Sequence, residues 1–306
     1  MPTPSFNSRP NIVFVICHDL GQYVGCLGAP IATPNIDALA AEGVLFSHYA
    51  CTAASCSPSR GSIITGRYPH NNGLVGLAHL GWEVGANEVT LPMYLNRAGY
   101  STHLIGHQHE HNEPARLGYQ HINIFPAHAR DVARTVCEFV REVGRDRPFF
   151  VSAGFGEPHR PYAREGYERE DPARVAPLPW LPDRPGIRED LAGLYGLIWR
   201  VDEAVGTIRQ GLADSGLADN TVLIFTTDHG IAMPRAKGTC YDPGIMTTLV
   251  WSWPGHFSGG RVQGELLTNC DTLPTILELA GVRPPQCLDG RSYLGLLDGA
   301  DYEPRE

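Results

Sequence analysis

Short apolar runs alternate with amphipathic segments along most of the chain. The first run, Asn11–Cys17, is rich in β-branched residues and predicts a strand buried on both faces. Similar runs predict further strands at 102–105, 149–154, 222–226 and 248–253. Between them, apolar residues at helical spacing predict helices at 91–98, 131–143, 189–212 and 270–280. This alternation favours an α/β fold with a mostly parallel central sheet and helices on both faces.

One long segment interrupts this alternation. Residues 156–188 are rich in proline and charge and show neither helical nor strand periodicity. Loops of this length in compact domains often serve as lids or binding loops, so the segment is a candidate binding loop.

Polar residues that can bind metals or transfer protons follow four of the predicted strands. They are His18 and Asp19 after the first strand, His107 and His109 after the second, His159 after the third, and Asp228 and His229 after the fourth. Ligands bind open α/β sheets at the carboxyl ends of the strands. Because the pattern recurs at four strand ends, we expect these side chains to converge on one pocket.

Composition and charge narrow the possible partners. The chain has 306 residues, of which 42% are hydrophobic, and a formal charge of −9. A chain with a net negative charge offers no broad basic surface to attract nucleic acid or an anionic membrane. An anionic substrate would therefore need a local basic pocket. The first ten residues lack the apolar core of a signal peptide, and no apolar run is long enough to span a membrane. We therefore expect a cytoplasmic protein.

The eight cysteines show no Cys-x-x-Cys pair, and seven of them are expected to be small buried hydrophobic residues. The exception is Cys56, in the segment CTAASCSPSRGSIITGRYPHNNG over residues 51–73. A buried cysteine before a helix is the ordinary interpretation of Cys-Ser-Pro alone. Here Pro58, Arg60 and Thr65-Gly66 follow Cys56 in the register of the sulfatase signature, which this segment resembles. The resemblance implies that a maturation enzyme reads Cys-x-Pro-x-Arg and oxidises Cys56 to formylglycine.

The resemblance to sulfatases covers essentially the whole chain. It includes NIVFVICHDLG at 11–21, GYSTHLIGHQH at 99–109, Pro-His-x-Pro within 157–161, FTTDHG at 225–230 and KGTCYDPG at 237–244. It implies the alkaline-phosphatase-like fold, with residues 1–306 forming the catalytic domain. Among sulfatases, the stretches HDLG, LPWLPDRPGIRED and FTTDHGIAMP are most similar to the N-sulfoglucosamine sulfohydrolases.

The resemblance also implies a divalent metal. Its ligands would be Asp19, Asp228, His229 and the formylglycine oxygen at position 56. Oxygen ligands favour Ca²⁺ or Mg²⁺, and each histidine favours Mn²⁺ or Zn²⁺. We expect Ca²⁺, with Mn²⁺ or Mg²⁺ as alternatives. The metal would lower the pKa of the hydrated aldehyde and bind a sulfate oxygen.

The remaining roles implied by the resemblance belong to four residues. Arg60 would stabilise the hydrated aldehyde, and Lys237 would pair with a sulfate oxygen. His159 would protonate the leaving group, and His109 would assist the hydrated aldehyde, since imidazoles titrate in the right range. One hydroxyl of the hydrated aldehyde would attack sulfur, and the other would later expel sulfate.

Two residues depart from the family pattern. His18 stands where sulfatases usually carry the first Asp of a pair, and it could bind the metal through nitrogen or merely line the pocket. His107 replaces the usual lysine beside His109. If it supplies a titratable cation, sulfate binding should weaken as the pH rises past neutrality. The neighbouring Glu110 and His111 are expected in a solvated loop, and His79 is expected at the surface or behind the site.

Several functions remain open at this stage. The substrate is expected to be a small sulfated molecule, with a sulfated sugar favoured and N-sulfated glucosamine suggested by the resemblance. The first alternative is a phosphodiester or phosphonate monoester hydrolase of the same superfamily. The second is a catalytically incomplete fragment or sulfosugar-binding protein, because the family's C-terminal subdomain is expected to begin about where this sequence stops. A hydrolase that uses Cys56 as a thiolate is the third.

Overall fold

The computed structural model describes residues 9–300 and 302–304, and its strands form one sheet. In chain order the strands are β1 (Asn11–Cys17), β2 (Val44–Ala50), β3 (Ser101–Gly106), β4 (His121–Asn123), β5 (Phe149–Gly154), β6 (Thr221–Thr227), β7 (Met246–Ser252), β8 (Arg261–Gln263) and β9 (Leu267–Thr268). Across the sheet the order is β4-β3-β5-β1-β6-β7-β2-β8, and β9 lies beside β2.

The sheet is mostly parallel, as the sequence predicts. Strand β1 pairs in parallel with β5 on one side and with β6 on the other, and β3 continues the parallel run beyond β5. The exception is β7, which runs antiparallel to both β6 and β2. The four strands that carry the candidate residues at their ends, β1, β3, β5 and β6, therefore share one carboxyl edge.

Helices cover both faces of the sheet. They are α1 (Pro34–Glu42), α2 (Cys56–Thr65), α3 (Pro69–Asn72), α4 (Leu91–Arg97), α5 (Ala129–Glu142), α6 (Pro185–Asp214), α7 (Asp242–Ile245), α8 (Thr272–Leu279) and α9 (Leu294–Asp298). Helices α1, α5 and α6 pack on one face, and α2, α4, α8 and α9 pack on the other.

Strand β1 shows why two cores form. Its odd-numbered side chains, such as Val13 and Val15, contribute to the core under α5 and α6, while Ile12 and Phe14 contribute to the core under α2 and α8. Successive side chains of a strand point to opposite faces, so a continuous apolar run supplies both cores at once. The prediction of helices on both faces is confirmed.

The strands that the apolar pattern did not predict are short or irregular. Strand β2 contains the polar pair Ser47-His48 and shifts register between Phe46 and Tyr49, which hides its alternation. Strands β4, β8 and β9 have three residues or fewer. Residues 156–184 form an irregular loop, and α6 begins at Pro185, earlier than predicted, because proline is favoured in the first helical turn. In the described part of the chain, no helix is both long enough and apolar enough to cross a membrane.

Candidate active site

Two neighbouring strands bring two carboxylates together. Strands β1 and β6 pair in register up to Cys17 and Thr227, so the residues that follow them emerge side by side. The backbone N–H of Asp19 donates to Oδ1 of Asp228 at 3.0 Å. Asp19 has φ 50°, in the left-handed region that residues other than glycine rarely adopt. Both side chains are fully buried.

His229 completes this group and presents one ring nitrogen to it. Its Nδ1 lies 3.0 Å from the carbonyl oxygen of Gly230, which can only accept, so Nδ1 carries the proton of this hydrogen bond. Its Nε2 lies 3.2 Å from Oδ1 of Asp19 and 3.6 Å from Oδ1 of Asp228. Fixing the outer nitrogen in this way is how proteins orient a histidine toward a metal.

Cys56 is the first residue of α2 and faces the two carboxylates and His229. Its Sγ lies 3.2 Å from Nε2 of His229 and 3.9 Å from Oδ1 of Asp19, and the residue is only 3% exposed. Burial by itself raises the pKa of the thiol, but contacts with the imidazoles of His109, His18 and His229 outweigh it and lower the pKa to about 4. All ten residues of α2 are buried.

Each carboxylate has its own cation. Arg60 lies one helical turn after Cys56, and its Nε donates to Oδ2 of Asp228 at 2.9 Å, while Nη2 donates to the carbonyl of Cys17 at 3.2 Å. Lys237 places Nζ 2.9 and 2.8 Å from the two oxygens of Asp19. Nη1 of Arg60 is buried and makes no hydrogen bond with any described residue.

The surroundings keep both carboxyl groups ionised. Burial would raise the pKa of Asp19, but the His18 imidazole, whose Nδ1 lies 3.7 Å from Oδ1, and the charge of His229 outweigh it and lower the pKa to about 2. Burial also opposes ionisation of Asp228, whose pKa is nevertheless lowered by His229, His18 and Arg60. Two buried negative charges held beside a thiol and an imidazole form a donor set suited to a divalent cation.

His18 and His159 flank the carboxylates. Nδ1 of His18 lies 3.0 Å from Oδ2 of Asp228, and one ligand atom each from His18, Asp19, Cys56 and Asp228 fall within 4.8 Å of one another. Nε2 of His159 lies 3.9 Å from Oδ2 of Asp19. Its side chain is 44% exposed, so this ring stands at the mouth of the pocket.

The structure contradicts the expectation that His107 supplies a titratable cation. Its ring packs edge-on against His18, with centroids 4.4 Å apart. Burial, followed by the positive charges of His18 and Arg60, lowers the pKa of His107 to about 2. The ring is therefore neutral around pH 7, and its titration cannot weaken sulfate binding there.

The loop after β3 differs from the solvated loop expected. Glu110 and His111 are 9% and 4% exposed, because the side chain of Gln108 accepts from the backbone N–H of both and folds the loop inward. His109 reaches the site, and its Nε2 lies 2.9 Å from Nδ1 of the exposed His79. His79 thus lies behind the site, as one of its two predicted placements has it.

Comparison with known proteins decides the family. The Sulfatase family model matches residues 10–282, which is most of the chain. The chain belongs to the sulfatase family. The human N-sulphoglucosamine sulphohydrolase is 31% identical over an alignment 337 positions long, which covers 95% of this chain and 66% of that enzyme. The chain thus spans less than two thirds of the length of this sulfatase.

Solved structures show the same fold. A protein in complex with its substrate D-glucosamine-2-N,6-O-disulfate superposes with a TM-score of 0.81 at 20% identity, covering 98% of this chain and 83% of that one. The phosphonate monoester hydrolase of Agrobacterium radiobacter gives 0.77 at 23% identity, covering 96% of this chain and 78% of that one. The alkaline-phosphatase-like fold is therefore confirmed, and the fold alone does not separate sulfatases from phosphonate hydrolases.

Proposed function

We propose that this protein hydrolyses a sulfate ester or sulfamate of a sulfated sugar, with residue 56 as formylglycine and a divalent cation beside it. The observation that carries the proposal is the position of Cys56. The residue that the sulfatase signature marks for oxidation begins a helix and faces Asp19 and His229 at 3.9 and 3.2 Å. Arg60 and Lys237 place two positive charges around the same point.

The buried donors fit a divalent cation. Asp19, Asp228, His229 and the oxygen of formylglycine 56 would hold it, and His18 is close enough to add a nitrogen. When bound, such a cation acts as a Lewis acid on a sulfate oxygen and on the hydroxyl at residue 56. We expect Ca²⁺, with Mg²⁺ and Mn²⁺ as alternatives, because carboxylate oxygens supply most of the negative charge.

The side chains of the chain itself would perform the remaining tasks. Nη1 of Arg60 is buried and has no partner among the described residues, so it is free to donate to a hydroxyl at residue 56. Lys237 holds Asp19 with an ammonium group that can also donate to a sulfate oxygen. His109 contacts residue 56 and would assist its hydroxyl. His159, half exposed at the mouth, would give a proton to the departing sugar oxygen or nitrogen.

The choice of a sugar substrate is supported by the relatives. One is named for N-sulphoglucosamine, and another was solved with a disulfated glucosamine. We infer a small sulfated sugar as the substrate, and N-sulfated glucosamine is the first compound to test.

Mass spectrometry and activity on one preparation test the proposal. The protein is produced with a formylglycine-generating enzyme, and the peptide containing residue 56 is analysed for conversion of the thiol to an aldehyde. The same preparation is assayed with N-sulfoglucosamine, nitrophenyl sulfate and a nitrophenyl phosphonate, and Cys56→Ala is the control. We expect the aldehyde and preference for a sulfated substrate. An unmodified thiol without sulfatase activity would refute the proposal, and preference for the phosphonate would favour the hydrolase of that class.

A cysteine hydrolase is the second candidate, because the unmodified site meets one of its requirements. Contacts with three imidazoles stabilise the thiolate of Cys56, and His229 lies at hydrogen-bonding distance from it. Protein made without the maturation enzyme tests this function directly. We expect it to be inactive on nitrophenyl acetate and on sulfate esters, whereas activity on the acetate that is lost in Cys56→Ala would support the cysteine hydrolase.

A further inference from the structure

A group of three histidines lies next to the carboxylates, and the proposed reaction uses its members only singly, His109 beside residue 56 and His18 beside the cation. One ring nitrogen each from His18, His107 and His109 lie within 4.8 Å of one another. The rings approach at centroid distances of 4.4 Å for His18–His107, 5.6 Å for His107–His109 and 6.0 Å for His18–His109. All three come from strand ends at the same edge of the sheet, after β1 and β3.

Some ring nitrogens of this group lack a hydrogen-bond partner among the described residues. Nε2 of His107 and Nδ1 of His109 are both buried, and neither makes a hydrogen bond of ordinary geometry with a described residue. Buried polar nitrogens are almost always paired with protein, water or an ion. Two such nitrogens within one compact group of rings point to a ligand that binds there.

The outer contacts of the group orient it toward a ligand. Nε2 of His109 lies 2.9 Å from Nδ1 of His79, so a proton on Nε2 leaves the lone pair of Nδ1 directed inward. His18 is anchored by Asp228, with 3.0 Å between its Nδ1 and Oδ2 of the carboxylate. Histidines that bind metals are held by neighbours of this kind, which fix the tautomer and the ring orientation.

The local charges also accept a cation. Asp19, Asp228 and Glu110 are buried acidic residues around the pocket, and Arg60 and Lys237 are the opposing cations. His107 is neutral, and a metal that binds His18 would displace the proton that Asp228 stabilises on that ring. Imidazole nitrogens without oxygen ligands favour zinc and related transition ions over Ca²⁺ or Mg²⁺.

We propose that His18, His107 and His109 form a second metal site that takes Zn²⁺ or a similar transition ion through three imidazole nitrogens. This site lies beside the carboxylate site and shares His18 with it. Three protein ligands leave the fourth tetrahedral position of zinc open to water or to a substrate oxygen. The site does not depend on the conversion of residue 56, so it can be tested on protein that carries the cysteine or the aldehyde.

The numbers of zinc and calcium ions bound per chain, when both metals are supplied, test this site. Protein freed of metal with a chelator is equilibrated with excess Ca²⁺ and one molar equivalent of Zn²⁺, and the calcium and zinc bound per chain are measured by elemental mass spectrometry. We expect one zinc per chain at the histidine site, and His107→Gln should lose that zinc while it keeps its calcium. His103→Gln is the matched control, because His103 lies on β3 and stacks on His121 away from the pocket.

X-ray absorption at the zinc edge supplies the second measurement, with about three imidazole ligands expected in wild type. Circular dichroism of His107→Gln shows whether that variant is folded. An equal zinc content in wild type, His107→Gln and His109→Gln would overturn the proposal, as would a zinc spectrum dominated by sulfur. Because these measurements do not involve sulfatase activity, failure of the proposed function would leave their outcome unchanged.

Discussion

Replacing Arg60 with methionine removes the cation that lies against Asp228 in the buried part of the site. Both side chains of this pair are fully buried, and Nε of Arg60 lies 2.9 Å from Oδ2 of Asp228. Methionine fills the space of the arginine stem but not that of the guanidinium, so the change removes the charge and its hydrogen bonds and leaves a small gap at the end of the side chain. Removing one partner of a buried ion pair leaves the other charge without compensation, and we expect the free energy of unfolding to fall by about 3–5 kcal/mol.

An exposed pair offers a matched control. Arg130 donates through Nε and Nη2 to Oε2 of Glu203 at 3.0 and 2.8 Å, which is as close as the buried contact. Both side chains are more than half exposed, and solvent screens such pairs. Arg130→Met should therefore cost no more than about 1 kcal/mol. The comparison separates the effect of burial from that of distance.

Urea denaturation of Arg60→Met, Asp228→Asn and the double variant measures the coupling. The experiment is done in chelator, so that loss of a metal ligand does not contribute. We expect the double variant to cost less than the sum of the single variants, by about 1–3 kcal/mol, because the second substitution removes the charge that the first left unpaired. Additive costs, or an Arg60→Met effect as small as that of Arg130→Met, would show that Arg60 is not what stabilises the buried Asp228.

Three further predictions follow from the same site and the turn beside it. Lys237→Met should raise KM for a sulfated substrate on the order of tenfold or more, because a charge-assisted hydrogen bond is lost. Steady-state kinetics measure this change. An unchanged KM would show that Lys237 does not bind the sulfate. The pKa of Cys56 falls from 9.0 to about 4 in the folded protein, so its stabilising effect is complete above pH 9.0 and is lost as the pH falls toward 4. The difference in unfolding free energy between unmodified wild type and Cys56→Ser should therefore grow from acid to alkaline pH, and a constant difference would contradict it. A Cβ at Gly230 would meet a backbone oxygen at 1.8 Å, whereas one at Gly186 would meet nothing within 4 Å. Gly230→Ala should lower the midpoint of thermal unfolding and Gly186→Ala should not, and equal midpoints would count against the close packing of this turn.

The sequence predicts the parts of the site that depend on local pattern. Apolar runs locate β1 and β6, and the polar residues directly after them, including Asp19 and Asp228, must then lie at the carboxyl edge. The register of Arg60 behind Cys56 places both on one face of α2. Their convergence in the structure agrees with the prediction of a single pocket.

Other features depend on tertiary packing and could not be predicted. The apolar pattern of β7 is the same whichever way the strand runs. The sequence pattern therefore could not predict that β7 lies antiparallel to β6. The neutral state of His107 follows from burial and from the positive charges of His18 and Arg60, which are distant in sequence. The burial of Glu110 depends on hydrogen bonds from its backbone to the side chain of Gln108, and residue types alone do not reveal them.

The complete burial of α2 has a consequence for the order of events when the protein is made. An enzyme that oxidises Cys56 must read the chain from Cys56 to Arg60, and all five of these residues are buried in the folded protein. Under the proposed function, that modification has to occur while this segment is still extended. Folding and oxidation would then compete for the same nascent chain, and a molecule that folds first would keep its thiol. The fraction of molecules that carry the aldehyde would then depend on the rate of oxidation relative to the rate of folding, so slower folding should raise that fraction.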